Sequence, residues 1–138
     1  MGENYAILRF EKMKRGSGIH GIEAHHERLK KTYTSNPTID IDRIKDDYHL
    51  IRPSAHYRQE IEERISKLNT RIRKDSVVCI DTIITSGPEF FEGKSPEKIK
   101  EFFTAGCDFI AQKVGRSNII SAVVHMDEKT PHLHMVFV

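Results

Sequence analysis

Cysteine is scarce in this chain. Cys79 and Cys107 are the only two among 138 residues. Two isolated cysteines read as small buried apolar side chains in a reducing compartment, which excludes a disulfide framework. No run approaches the ~18 consecutive apolar residues of a membrane span. The opening MGENYAILRFEKMKR lacks the basic-then-apolar order of a secretory signal. Net charge is only +2, so bulk electrostatics make no case for nucleic acid. Repeats and low-complexity linkers are missing too. What remains is an ordinary soluble composition, 38% hydrophobic and 30% charged, enough for one domain with a real core.

The positive charge is uneven. Lys12, Lys14 and Arg15 cluster, as do Arg28, Lys30 and Lys31, and then Arg71, Arg73 and Lys74. Each run could be a solvated face, and the last sits at an expected helix C-terminus, where positive charge is favourable. Tyr5–Phe10 reads as a strand, followed by a basic loop, KMKRGSG. Ile19, Ile22, Leu29 and Tyr33 fit one helical face with His26 in register, and Thr34–Thr38 breaks that helix. The stretch after it is ambiguous, with a short strand at Tyr48–Ile51 as one reading. Ser54 is the expected cap of a long helix bearing Tyr57, Ile61, Ile65, Leu68 and Ile72. Ser76–Thr85 is the clearest buried strand. Ser95-Pro96-Glu97 starts another helix, with Gly115 as its stop. Two strands follow, Asn118–His125 and His132–Val138, joined closely enough to form an antiparallel hairpin. The expected fold is therefore α+β, a mostly antiparallel central sheet with helices packed against it. Residues 1–138 read as one domain. The chain stops inside an apolar strand, which suggests a piece of a longer protein, incomplete on its C-terminal side.

Chemistry concentrates in the closing stretch, VVHMDEKTPHLHMVFV. His132 and His134 are two apart on a strand, so both project to one face. The hairpin returns His125 to within roughly 5 Å of His132. Three imidazoles with open positions beside them suit a catalytic metal. Asp127 and Glu128 sit in the loop, placed to act as a fourth ligand, an orienting partner or a base. Nitrogen ligands favour zinc, manganese, iron or nickel over calcium. A second cluster, Ala24-His25-His26-Glu27-Arg28, lies on the first helix. Its adjacent histidines point about 100° apart, so at most one faces a given site.

These residues resemble a family. HMDEKTPHLH is similar to the H-x-D-E-x-x-P-H-x-H motif of Mob/Pre-type (MobV) plasmid mobilisation relaxases, the "plasmid recombination enzyme" group of the HUH endonucleases. The opening YAILRFEKMKRGSGIHGIEAHHER resembles that family's strand, K-M-K-x-G loop and H-N-x-R helix. RKDSVVCIDTIITS resembles its R-K-D-A-V strand, and EKIKEFF fits the helix after it. The likeness covers nearly the whole chain. It implies His125, His132 and His134 as metal ligands, Glu128 as a nearby catalytic carboxylate and His25 as the nucleophile. Lys12, Lys14, Arg28, Arg73 and Lys74 are the candidate phosphate contacts. Two positions depart from the pattern. His26 stands where the family has asparagine, and Asp47-Tyr48-His49-Leu50 stands for N-Y-x-L.

The resemblance implies nicking and strand transfer at a plasmid transfer origin, through a 5′-phosphoryl-histidine. The cofactor would be a divalent metal, manganese first, with magnesium or zinc as alternatives. The partner would be single-stranded or hairpin DNA in a bacterial cytoplasm, and a C-terminal region beyond residue 138 would carry any homo-oligomer contact. Tyr33 and Tyr48 are the alternative nucleophiles, with core packing the simpler role for both. Two other classes stand against this reading. A HIT-type nucleotide hydrolase also alternates histidines on a strand, but would want one where Val136 sits. A non-catalytic, metal-stabilised DNA-binding remnant would use the histidines only to hold the sheet.

Overall fold

The computed structural model describes residues 6–16, 18–29 and 39–138. Its centre is a five-stranded antiparallel sheet in the order β1-β3-β5-β4-β2. The strands are β1 (Ala6–Lys14), β2 (Tyr48–Ile51), β3 (Val77–Ser86), β4 (Ile119–His125) and β5 (His132–Phe137). Among the described residues four α-helices accompany them: α1 (Ile19–His26), α2 (Tyr57–Ser66), the single turn α3 (Pro88–Phe91) and α4 (Pro96–Val114). The most apolar strands, β3, β4 and β5, occupy the interior of the sheet, where both faces are covered.

Alternation along β5 divides the molecule into two layers. Leu133 and Met135 face α4, within a core that includes Phe91, Ile99, Phe103, Cys107, Ala122 and Val124. His132, His134 and Val136 face the other way. There α1 and α2 cover the sheet through Ile19, Tyr57, Ile61, Cys79 and Ile120. α4 is built as its sequence indicates. Ser95 accepts a hydrogen bond from the Lys98 N–H (3.2 Å), Pro96 fills the first turn, and Gly115 ends the helix at φ 89°.

Three expectations need correction. β1 runs through Lys14 instead of stopping at Phe10, because β3 offers a partner for the whole KMK segment. The basic loop shortens accordingly. α2 is capped at His56, not Ser54, and ends at Ser66, leaving Leu68 52% exposed. Glu60 takes the capping role in reverse, accepting from the Ser54 and Ala55 N–H groups (3.1 and 3.4 Å). α1 ends at His26, well short of Tyr33, since Arg28 turns the chain at φ 53°. Tyr33, Lys30, Lys31 and the expected break at Thr34–Thr38 lie outside the described residues.

Candidate metal centre and active site

The β4–β5 hairpin sets His125 directly opposite His132. The ring centroids of His125 and His132 are 5.2 Å apart, and His134 lies 4.7 Å from each. One ligand atom from each of the three falls within 4.8 Å of the others. The hydrogen bonds decide which atoms those are. His125 Nε2–H donates to the His26 carbonyl (2.7 Å), which leaves its buried Nδ1 with a lone pair and no partner. His132 Nδ1–H donates to the Thr130 carbonyl (3.0 Å), turning Nε2 inward, where Glu128 Oε2 stands at 2.8 Å. Both nitrogens of His134 are buried without a partner. The His26 carbonyl thus fixes the His125 tautomer so that a bare nitrogen turns inward, which is how proteins orient imidazoles toward a metal, while His132 Nε2 is held by Glu128. Buried polar atoms without partners are rare, and here they cluster where an ion would satisfy them.

Burial reinforces that state. It lowers the His125 pKa to about 3, helped by the Arg28 charge, and holds His134 well below the ordinary histidine value. The hydrogen bond to His132 keeps the Glu128 carboxyl low and ionised.

His25 sits at the last turn of α1, half-buried, with its ring 6.2 Å from His125 and 5.9 Å from His134. It lines an open cleft of about 400 Å³ with Glu128, Lys129, Thr130, His132 and His134. Burial, then the Arg28 charge, lowers its pKa, so the imidazole is neutral with a lone pair. His26 is different. It is 2% exposed and stacks on His134 at 4.3 Å, inside the protein. Tyr48 packs on the α4 face of the sheet, away from the histidines.

Two acidic anchors hold the end of α1 in place. Glu27 accepts from Tyr57 Oη–H (2.5 Å) and Ser121 Oγ–H (2.9 Å), with His49 Nε2 at 2.6 Å. Burial opposes its charge, but these hydrogen bonds outweigh it and keep the carboxyl low. Asp127, fully buried, forms a two-pronged pair with Arg28 (2.8 and 2.9 Å). Arg28 also donates to the His25 carbonyl (2.9 Å). This corrects the expected phosphate contact at Arg28. Its guanidinium is 4% exposed and committed to carboxylate, so its role in this arrangement is to brace His25.

The other basic candidates scatter. Lys12 pairs with Ile80, whose partner on β5 is Phe137, so alternation turns Lys12 to the face away from the histidines. Arg9, not foreseen, pairs with Ile83 and so shares the histidine face. Lys14 and Lys74 line a cleft of about 390 Å³ at the far end of β3, with exposed Arg73 nearby in sequence. Six residues along β3 separate Val77, opposite Lys14, from Ile83, opposite His134, or about 20 Å. Asp81 was not singled out from sequence, Glu27 appeared only as a member of the cluster at residues 24–28, and Asp47 only as a departure from N-Y-x-L.

The comparisons with known proteins agree with this geometry. The family model described as "Plasmid recombination enzyme" matches residues 2–138. The chain belongs to the plasmid recombination enzyme family. A type 3 plasmid recombination enzyme of Staphylococcus aureus is 37% identical over 135 residues, 95% of this chain and 32% of that relative. One from a Bacillus species is 38% identical over 136 residues, again covering 32% of its length. The chain thus spans about a third of these relatives. Among solved structures, the MobM relaxase domain bound to plasmid pMV158 oriT DNA, Mn-bound at pH 6.8, superposes with a TM-score of 0.89. It is 37% identical, covering 97% of this chain and 70% of that one. The antiparallel sheet with flanking helices expected from sequence is the fold observed. Among the described residues no helix is long and apolar enough to cross a membrane.

Proposed function

We propose that this chain is the nicking module of a bacterial, cytoplasmic mobilisation relaxase of the HUH type. It would cut one DNA strand at a plasmid transfer origin and hold the 5′ end covalently. The observation that carries this reading is the half-buried, neutral His25 facing three converging imidazoles across an open cleft. The Mn-bound, DNA-bound relaxase neighbour supports it.

His125, His132 and His134 would hold a divalent ion, manganese first. When bound, it supplies Lewis-acid polarisation of a phosphate oxygen. The protein's own groups do the rest. The lone pair of His25 attacks phosphorus without prior proton loss. A nitrogen–phosphorus bond forms and the phosphorus–O3′ bond breaks. The imidazole's remaining proton is lost to the departing oxygen, which leaves as a 3′ hydroxyl. Because the phosphoramidate retains the bond's energy, an incoming 3′ hydroxyl can reverse the step and reseal the strand. Arg28 and Glu27 fix the end of α1, so the nucleophile is oriented before DNA arrives. Glu128 lies beside the open side of the centre, placed to accept or return the proton. Arg9, Lys14, Arg73 and Lys74 would contact phosphates, positioning the strand without reading its sequence.

The test is a cleavage assay with transfer-origin DNA from the parent element and Mn²⁺, followed by mass spectrometry of the protein–DNA adduct. We expect the adduct on His25, absent from the His25→Ala variant and without metal. An adduct on Tyr33 or Tyr48 discards this nucleophile. Metal binding without cleavage, both by this chain and by the full-length product, would make it a binding remnant.

A further inference from the structure

One group of ligand-type side chains is not absorbed by the reading above. His26, Asp81 and His134 bring one ligand atom each within 4.8 Å of one another. A plain His26–Asp81 pair explains part of this, since Nε2 lies 3.2 Å from Oδ1. It leaves too much unexplained. His26 Nδ1 and both ring nitrogens of His134 are buried and make no hydrogen bond, and Asp81 Oδ1 has no partner beyond the His26 contact. Buried polar atoms are almost always partnered, so three orphan nitrogens beside a buried carboxylate oxygen mark a place built for a partner. His134 has two nitrogens, and the three-histidine centre uses one.

The surroundings point the same way. Asp81 is paired with Glu11 across β1 and β3, so both carboxylates share the histidine face. Like charges directly opposite each other are unfavourable. Arg9 faces the same space but forms no ion pair with either among the described residues. These residues, with Ile83 and His134, line a cleft of about 440 Å³ that approaches His134 from the β1 side. The cleft beside His25 approaches it from the hairpin side.

We infer that His26, Asp81 and His134 form a second divalent-cation position, with His134 shared between it and the three-histidine centre as a bridging imidazolate, its ring proton released to solvent when both ions are bound. Two imidazoles and a carboxylate suit manganese or zinc and are a poor match for calcium. The family motif has asparagine where His26 stands, so this position belongs to this chain's sequence and not to the motif. The inference rests on the metal reading of the first centre only through His134.

The test is equilibrium dialysis of the 138-residue chain against Mn²⁺, with bound metal measured by mass spectrometry and by electron paramagnetic resonance. The unaltered chain should bind two equivalents with an exchange-broadened spectrum. His26→Asn and Asp81→Asn should each bind one, with the six-line spectrum of an isolated ion. His132→Ala should also bind one, and combined with His26→Asn it should bind none. Circular dichroism checks that each variant is folded, and the near-isosteric Asp81→Asn serves if His26→Asn is not. One equivalent in the parent, lost in His132→Ala and unchanged in His26→Asn, would overturn the second position and leave the first intact. Two equivalents that persist in both asparagine variants would overturn it as well. No bound metal would overturn both.

Discussion

Asp47 and Asp127 share one guanidinium unequally. Arg28 gives Asp127 two short hydrogen bonds but stands 3.7 Å from Asp47 Oδ2, which has no hydrogen-bond partner. The Asp47 side chain is 8% exposed. Burial, with the Asp127 charge beside it, pushes its pKa up to about 7 against the pull of the Met126 N–H and Arg28. Asp47→Asn keeps an Oδ1 acceptor for that N–H (2.6 Å) and removes the charge. It also restores the asparagine of the N-Y-x-L pattern. In the unfolded chain Asp47 loses its proton near 3.8, in the folded chain near 7. Between those values the folded state holds the extra proton, so parent stability falls as pH rises from about 4 to about 7. Asparagine has no proton to lose. The variant should therefore differ least near pH 4 and gain over the parent up to pH 7. An interval of about three in pH corresponds to a ceiling of ~4 kcal/mol. That interval already includes the pull of Arg28, so we expect a gain approaching ~4 kcal/mol at pH 7.5. Urea denaturation of the metal-free protein at pH 4.5, 6 and 7.5 measures this. A variant less stable than its parent at pH 7.5, or a gap that does not change with pH, would refute the reasoning.

Arg28→Ala should cost about 3–5 kcal/mol, because it leaves Asp127 charged and fully buried; a loss below about 1 kcal/mol by urea denaturation would contradict the bracing role. Ser95→Ala should cost about 1 kcal/mol through the lost cap on α4, seen as a lower urea midpoint with unchanged slope. Mn²⁺ affinity should resist acid, since His125 and His134 are already neutral far below their ordinary pKa. Calorimetry from pH 7.5 to 5.5 should show a fall far short of the roughly thousandfold that three imidazoles of ordinary pKa would give. A fall above about a hundredfold would mean the imidazoles are less buried than this geometry requires.

The convergence of the three histidines was legible because its determinants are local. Two histidines two apart on a strand must share a face, and a short hairpin must return the third. The α4 cap was legible for the same reason, since Ser95, Pro96 and Gly115 act within their own turns. What escaped depends on contacts distant in sequence. Arg28 and Asp127 are 99 residues apart, as are His125 and the His26 carbonyl. No spacing rule reveals that a guanidinium three residues after His25 meets a buried carboxylate. Lys12 shows a subtler limit. Its charge was visible, but its direction depended on the register of β1 against β3, where one residue of slip exchanges the two faces. Arg9 occupies the alternate position and shares the histidine face. His25 and His26 show the same logic at closer range. On one helix their side chains diverge by about 100°, and only the packing of α1 on the sheet decides which is buried. It buries His26 against His134 and leaves His25 facing the cleft. Which histidine faces the cleft, and so which one we propose as nucleophile, is therefore set by Glu27, Arg28 and their distant partners, which fix the rotation of α1 over the sheet, and not by anything within the histidine pair itself.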